Sequence, residues 1–188
     1  FFVAGGSLLQ LAAIVPLGVV ALVTYVMTND YQLRRWETFL DPWGVALGDG
    51  FHTVQGLYAL ALGGIFGDGL GQSRGPGGLY LPNADNDYVF AMVGQELGLI
   101  GGVAVIGLFL FFAYRGLRVS RSAPDTFGGL LAVGITGWIA FQAFINIGVV
   151  VNLLPVTGIT LPFVSSGGTS LVVSFAAVGI LLSISRES

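Results

Sequence analysis

The chain has 188 residues, 54% hydrophobic and only 9% charged, with a net charge of −3. Soluble domains carry about 25% charged residues, so a water-soluble globular protein is excluded. With no Cys and with Arg as its only seven cations, the chain also has no disulfide framework, no Cys-based metal site and no basic stripe for nucleic acid.

What remains is an all-α, polytopic helical membrane protein, read as a single membrane domain over residues 1–188. The opening FFVAGGSLLQ has no basic n-region and reads as part of something longer, not as a signal peptide. Five apolar runs follow, at residues 8–28, 51–66, 88–114, 127–150 and 168–185. A span needs about 20 residues to cross hydrocarbon, and only the Gly-rich second run falls short. The expectation is about five transmembrane helices.

Four connections separate the runs. Residues 29–50 hold Arg34, Arg35 and the breaker Asp41-Pro42-Trp43-Gly44; residues 115–126 hold Arg115, Arg118 and Arg121. Residues 67–87 are long and rich in Gly and Pro, and 151–167 hold two Pro and no charge. If connections alternate sides, six Arg share one face and only Arg74 the other. The positive-inside rule then makes the six-Arg side cytoplasmic. Loops 67–87 and 151–167 and the start of the chain would face outward, with the C-terminus in the cytoplasm.

The 67–87 loop, GDGLGQSRGPGGLYLPNADND, brings Arg74, Asp85 and Asp87 to the outer face. Loops of this length are commonly functional, although a Gly-rich connector is the plain alternative. Asp87 stands at the start of the third run. It suits a helix N-cap, and it equally suits a general base held at the membrane surface. Glu96 lies nine residues on, about two and a half turns away, so it faces nearly opposite Asp87. An acid at membrane depth points to function, with a polar packing contact as the alternative. His52, the only His, has no companion ligands and reads as a packing residue at the cytoplasmic end of the second run. Residues 146–170, NIGVVVNLLPVTGITLPFVSSGGTS, contain two Pro and Gly167-Gly168 and suggest irregular backbone lining a groove.

Two of these stretches, PNADNDYVFAMVGQELG and NIGVVVNLLPVTGITLPFVSSGGTS, together with DPWG at 41–44 and GDGLGQSR at 67–74, resemble the SEDS family (FtsW, RodA and SpoVE). The motifs run in order over essentially the whole chain and lean toward the FtsW and SpoVE branch. The resemblance implies the C-terminal half of a fold of about ten membrane helices. It implies a peptidoglycan glycosyltransferase that polymerises lipid II, with Asp87 as catalytic base. It implies substrate-binding roles for Gln72, Ser73, Arg74, Asp85, Glu96, Ser165, Gly167 and Gly168, with Arg74 helping the pyrophosphate. A divalent cation, Mg or Mn, a class B penicillin-binding protein partner and a place in the bacterial plasma membrane follow from the same resemblance. This half alone is expected to be inactive. The sequence departs from the family pattern at Asp85-Asn86, Gln95, Asn152 and Ser166. A lipid II transporter and a non-catalytic scaffold of the division complex are the competing readings.

Overall fold

The computed structural model describes Gly5 and residues 8–71 and 86–186. Its elements are α1 (Leu8–Thr28), α2 (Asp30–Leu40), α3 (Phe51–Gly63), α4 (Val89–Ser122), α5 (Thr126–Val150) and α6 (Gly168–Arg186), with no strand among the described residues. α4, α5 and α6 are long and apolar enough to cross a membrane, and the bent pair α1–α2 makes a fourth candidate. The chain is therefore an all-helical membrane protein.

The axis turns by 96° between α1 and α2. The break falls at Asn29, whose backbone is extended (φ −112°, ψ 110°), and Asp30 in the first turn of α2 suits the positive helix end. α2 stops before Pro42, because the residue preceding a proline is driven out of the helical region; Asp41 has φ −138°. Asp41 then tightens the turn by accepting from Gly44 N at 2.9 Å.

α4, α5 and α6 form an up-down-up bundle. Ser120 donates to the Gly129 carbonyl at 2.8 Å, closing the α4–α5 turn. Asp125 caps α5 by accepting from Gly128 N. At the opposite end, Asn146 of α5 reaches the start of α4. The buried cluster Ala59, Tyr88, Phe90, Ala91, Ala143, Val150 and Leu161 lies at that end. It draws together α3, α4, α5 and the 151–167 segment.

The second apolar run is not a span. α3 has 13 residues, about 20 Å at 1.5 Å per residue, against about 30 Å of hydrocarbon. It runs parallel to the first part of α4, with Thr53 and Gly56 beside Tyr88 and Gly63 against Gly94. A side chain on Gly63 would overlap the Gly94 carbonyl, so this close approach requires its glycine. α3 begins at the face where α4 begins, and the chain comes back to that face at Asn86. The excursion from residue 29 to residue 88 thus leaves and returns on one side.

This corrects the expected topology. Arg34, Arg35 and His52 share a face with Asp87 and do not lie with Arg115, Arg118, Arg121 and Arg186. If α1 crosses, its Leu8 end starts on the side of the α4–α5 turn, opposite to the side expected.

α4 is broken at Gly98, where φ 66° and ψ −165° belong to a region open to glycine alone. The interrupted helix leaves peptide groups without partners, and the end of α3 supplies them. Asp68 N and Gly69 N donate to the carbonyls of Gln95 and Glu96 at 2.9 and 3.1 Å. Leu99 N and Ile100 N donate to those of Gly64 and Ile65 at 2.9 and 3.3 Å. A break at membrane depth is tolerated only when it is sealed in this way.

Candidate functional site

A pocket of about 390 Å³ opens at the end of the bundle where α2, α3 and the start of α4 meet the 151–167 segment. Asp87 and Tyr88 line it, with Arg34 and Arg35 from α2, His52 and Thr53 from α3, and Val156. The contribution of α2 is a single stripe. Tyr31, Arg34, Arg35 and Thr38 follow the i, i+3, i+4, i+7 spacing of one helical face, and all four line the pocket.

Asp87 is half-buried and is held through its backbone. Asn146, itself buried, donates from Nδ2 to the Asp87 carbonyl at 2.8 Å and to the Ile159 carbonyl at 2.7 Å. One residue earlier, Ser165 donates to the Asn86 carbonyl at 2.6 Å and accepts from Leu161 N at 2.8 Å. Ser166 donates to Asn86 Oδ1 at 3.0 Å. The 146–170 stretch therefore works as a cradle that fixes where the Asp87 carboxylate begins. The N-cap position of α4 belongs to Tyr88, and no side chain caps there. The helix start thus does not explain Asp87.

Tyr88 is 4% exposed, and its hydroxyl shares a hydrogen bond with Thr53 at 3.2 Å. Burial pushes its phenol above the ordinary tyrosine value, a push that the Thr53 bond opposes and the Asp87 charge reinforces. His52 stacks near the Tyr88 ring, with centroids 6.3 Å apart. Gly158, at φ 71°, presents the face where a side chain would begin to Asp87 Oδ2, at 3.5 Å. Only a residue that tolerates the left-handed region sits there without strain.

Of the residues expected in the site, Asp87 is in the pocket. Ser165 is 2% exposed and bonded to backbone, where it positions the Asn86–Asp87 chain. Gly167 packs beside Ser170 and Thr160, Gly168 opens α6, and neither lines the pocket. Glu96 stands on α4 two residues before the break, away from the pocket, and its carbonyl accepts from Gly69 N. Gln72, Ser73, Arg74 and Asp85 lie outside the described residues.

Arg34, Arg35, His52 and Asn146 are the site residues that sequence reasoning missed. The α2 stripe was a legible signal for the two arginines. For Asn146 the signal was an amide within an apolar span. Among the described residues a divalent ion finds no ready ligand set. Asp49, His52 and Asp87 line one pocket, yet no group of three His, Cys, Asp or Glu that could hold a metal occurs among the described residues.

A family model described as Cell cycle protein, FTSW_RODA_SPOVE, matches residues 1–188. Stage V sporulation protein E of Bacillus subtilis (strain 168) is 46% identical over 187 residues, covering 100% of this chain and 51% of the relative. "Probable peptidoglycan glycosyltransferase FtsW" of Thioalkalivibrio sulfidiphilus is 42% identical over 190 residues, covering 100% and 47%. The protein of the same description in Geobacter metallireducens is 43% identical over 186 residues, covering 99% and 49%. The chain thus spans about half the length of the curated relatives it matches. A solved structure, described as structural coordination of polymerization and crosslinking by a peptidoglycan synthase complex, superposes with a TM-score of 0.71 at 27% identity. It covers 93% of this chain and 48% of the solved one.

Proposed function

We propose, because the chain belongs to the FTSW_RODA_SPOVE family of cell cycle proteins, that the whole protein is a peptidoglycan glycosyltransferase polymerising lipid II. The relatives described as probable peptidoglycan glycosyltransferases support this activity. One observation carries the choice of residue: among the described residues, Asp87 alone combines a carboxylate in the pocket with a backbone clamped by Asn146 and the neighbouring Ser165 contact.

In this reading Asp87 is the general base. It takes the proton from the 4-hydroxyl of the acceptor GlcNAc as that oxygen attacks the donor anomeric carbon. The new glycosidic bond forms on the face opposite the leaving group, and the polyprenyl diphosphate departs with the bonding pair. Fixing the backbone matters because a base must meet its proton at hydrogen-bond distance. The buried Tyr88 ring and the clamped 151–167 segment form the rigid walls.

Orientation follows from charge. Arg115, Arg118, Arg121 and Arg186 lie at the end away from the pocket, against Arg34 and Arg35 at the pocket end. This reading keeps the former end and the C-terminus cytoplasmic, and the pocket and residues 151–167 extracytoplasmic, in a bacterial plasma membrane. A cross-linking partner of the class B penicillin-binding type is supported by the likeness to a peptidoglycan synthase complex. Arg74 and Asp85, in the connection leading to Asp87, keep their proposed substrate contacts.

The test is glycan polymerisation from labelled lipid II by the full-length parent with its partner, native against Asp87→Asn. Loss of product by about 10²–10⁴-fold, with expression and partner binding intact, is expected for a general base. Undiminished product would remove Asp87 from that role. Lipid II crossing the membrane without polymer from either protein would favour a transporter.

A further inference from the structure

We propose that Arg34 and Arg35 form the diphosphate-binding wall of the pocket, holding a polyprenyl-diphosphate-linked sugar so that its anomeric carbon faces Asp87. This rests on the glycosyltransferase reading and names the group that takes the leaving charge. Two of the seven cations of the chain are adjacent on the face of α2 that lines the pocket.

The two arginines are held differently. Arg35 donates from Nη1 to the Val156 carbonyl at 3.0 Å and from Nη2 to the Tyr31 hydroxyl. Its guanidinium lies 4.5 Å from the centre of the Tyr31 ring. A guanidinium has five N–H donors in a fixed fork, so this anchoring orients the group and still leaves donors for a ligand. Arg34 is exposed on the same face. One fixed and one adjustable guanidinium suit the two phosphates of a diphosphate, which each bind such forks through paired oxygens.

The 151–167 segment touches both sides of the pocket. Val156 receives Arg35, and Gly158, two residues on, abuts Asp87 Oδ2. Two residues of chain reach at most about 7 Å, so the contact that anchors Arg35 and the contact with Asp87 are neighbours on one clamped segment. Asp49 also lines the pocket, so among the described residues the arginines of its lining stand on the α2 wall.

The probes are undecaprenyl diphosphate, undecaprenyl monophosphate and inorganic pyrophosphate, measured by equilibrium binding to the full-length parent with its partner. Arg34→Gln should weaken undecaprenyl diphosphate about tenfold and the monophosphate less, as expected for loss of a charged hydrogen bond. Arg34→Lys should recover part of the loss, and the KM for lipid II should rise more than kcat falls. Asp87→Asn should bind the diphosphate at least as tightly as the native protein while making no polymer. Inorganic pyrophosphate that competes in the native protein but not in Arg34→Gln supports a site for the diphosphate itself. Competition by the lipid-linked form alone, equal in both proteins, assigns the affinity to the chain and overturns the proposal. Equal diphosphate binding by native and Arg34→Gln also overturns it, and the Asp87→Asn result still decides the catalytic reading separately. Arg35 is a poor first variant because its loss would also release Val156 from α2.

Discussion

α1 and the Asp87 end of the bundle treat their polar groups in opposite ways. Along α1, Leu17 is 74% exposed and Met27 72%. The polar groups there turn inward on their own helix: Thr24 and Thr28 donate to the carbonyls of Val20 and Thr24, both at 2.8 Å. Such a surface asks only for hydrocarbon or further helices around it. At the other end, Thr53, Asn146 and Ser165 are at most 2% exposed, and each bonds to a partner on another segment. The difference teaches where specificity resides. A lipid-facing helix is set by composition, and many apolar sequences would serve. The pocket end depends on individual donors meeting individual carbonyls, where one unmade bond costs about 1–3 kcal/mol.

Substitutions in the full-length parent, followed by thermal unfolding in detergent, should break that contrast in graded steps. The largest effect is expected at Gly98, where Gly98→Val forces a branched residue to φ 66° and places Cβ 2.5 Å from Gly67 N. The backbone strain is about 1–3 kcal/mol and the overlap with Gly67 N adds to it, enough to deplete folded protein; native-like melting would show that the break is not obligatory.

Asn146→Asp comes next. The shape is kept, but the two donations to Asp87 O and Ile159 O are replaced by a carboxylate facing two carbonyls. The expected cost is about 2–4 kcal/mol, with polymerisation falling further than stability because the Asp87 backbone is released. A loss of activity no larger than the loss of folded protein would reduce Asn146 to a packing residue.

The smallest effect belongs to α1. Leu17→Ile on its exposed surface should shift stability by no more than about 0.5 kcal/mol and leave polymerisation unchanged. A large effect there would mean that α1 meets a specific neighbour at Leu17.

The runs at 127–150 and 168–185 appear as α5 and α6 within a residue or two, because twenty apolar residues in hydrocarbon have few alternatives to a helix. Asp87 was legible for a similar reason: an acid beside a spanning run is costly and draws notice. Ser165 was noticed for its motif, but its role depended on Asn86, 79 residues away, being its partner. Arg34, Arg35 and His52 were misplaced together. Reading residues 51–66 as a crossing put everything before them on the wrong side.

Composition, spacing and motif by themselves determined the class, the long apolar helices α4, α5 and α6 and the family resemblance, since each is a local property of a stretch of chain. Which side a residue lies on is the parity of all the crossings between it and a reference point, and one miscounted span reverses it. Only the tertiary structure, by showing α3 entering and the chain returning at one face, decided that two arginines and a histidine stand around Asp87.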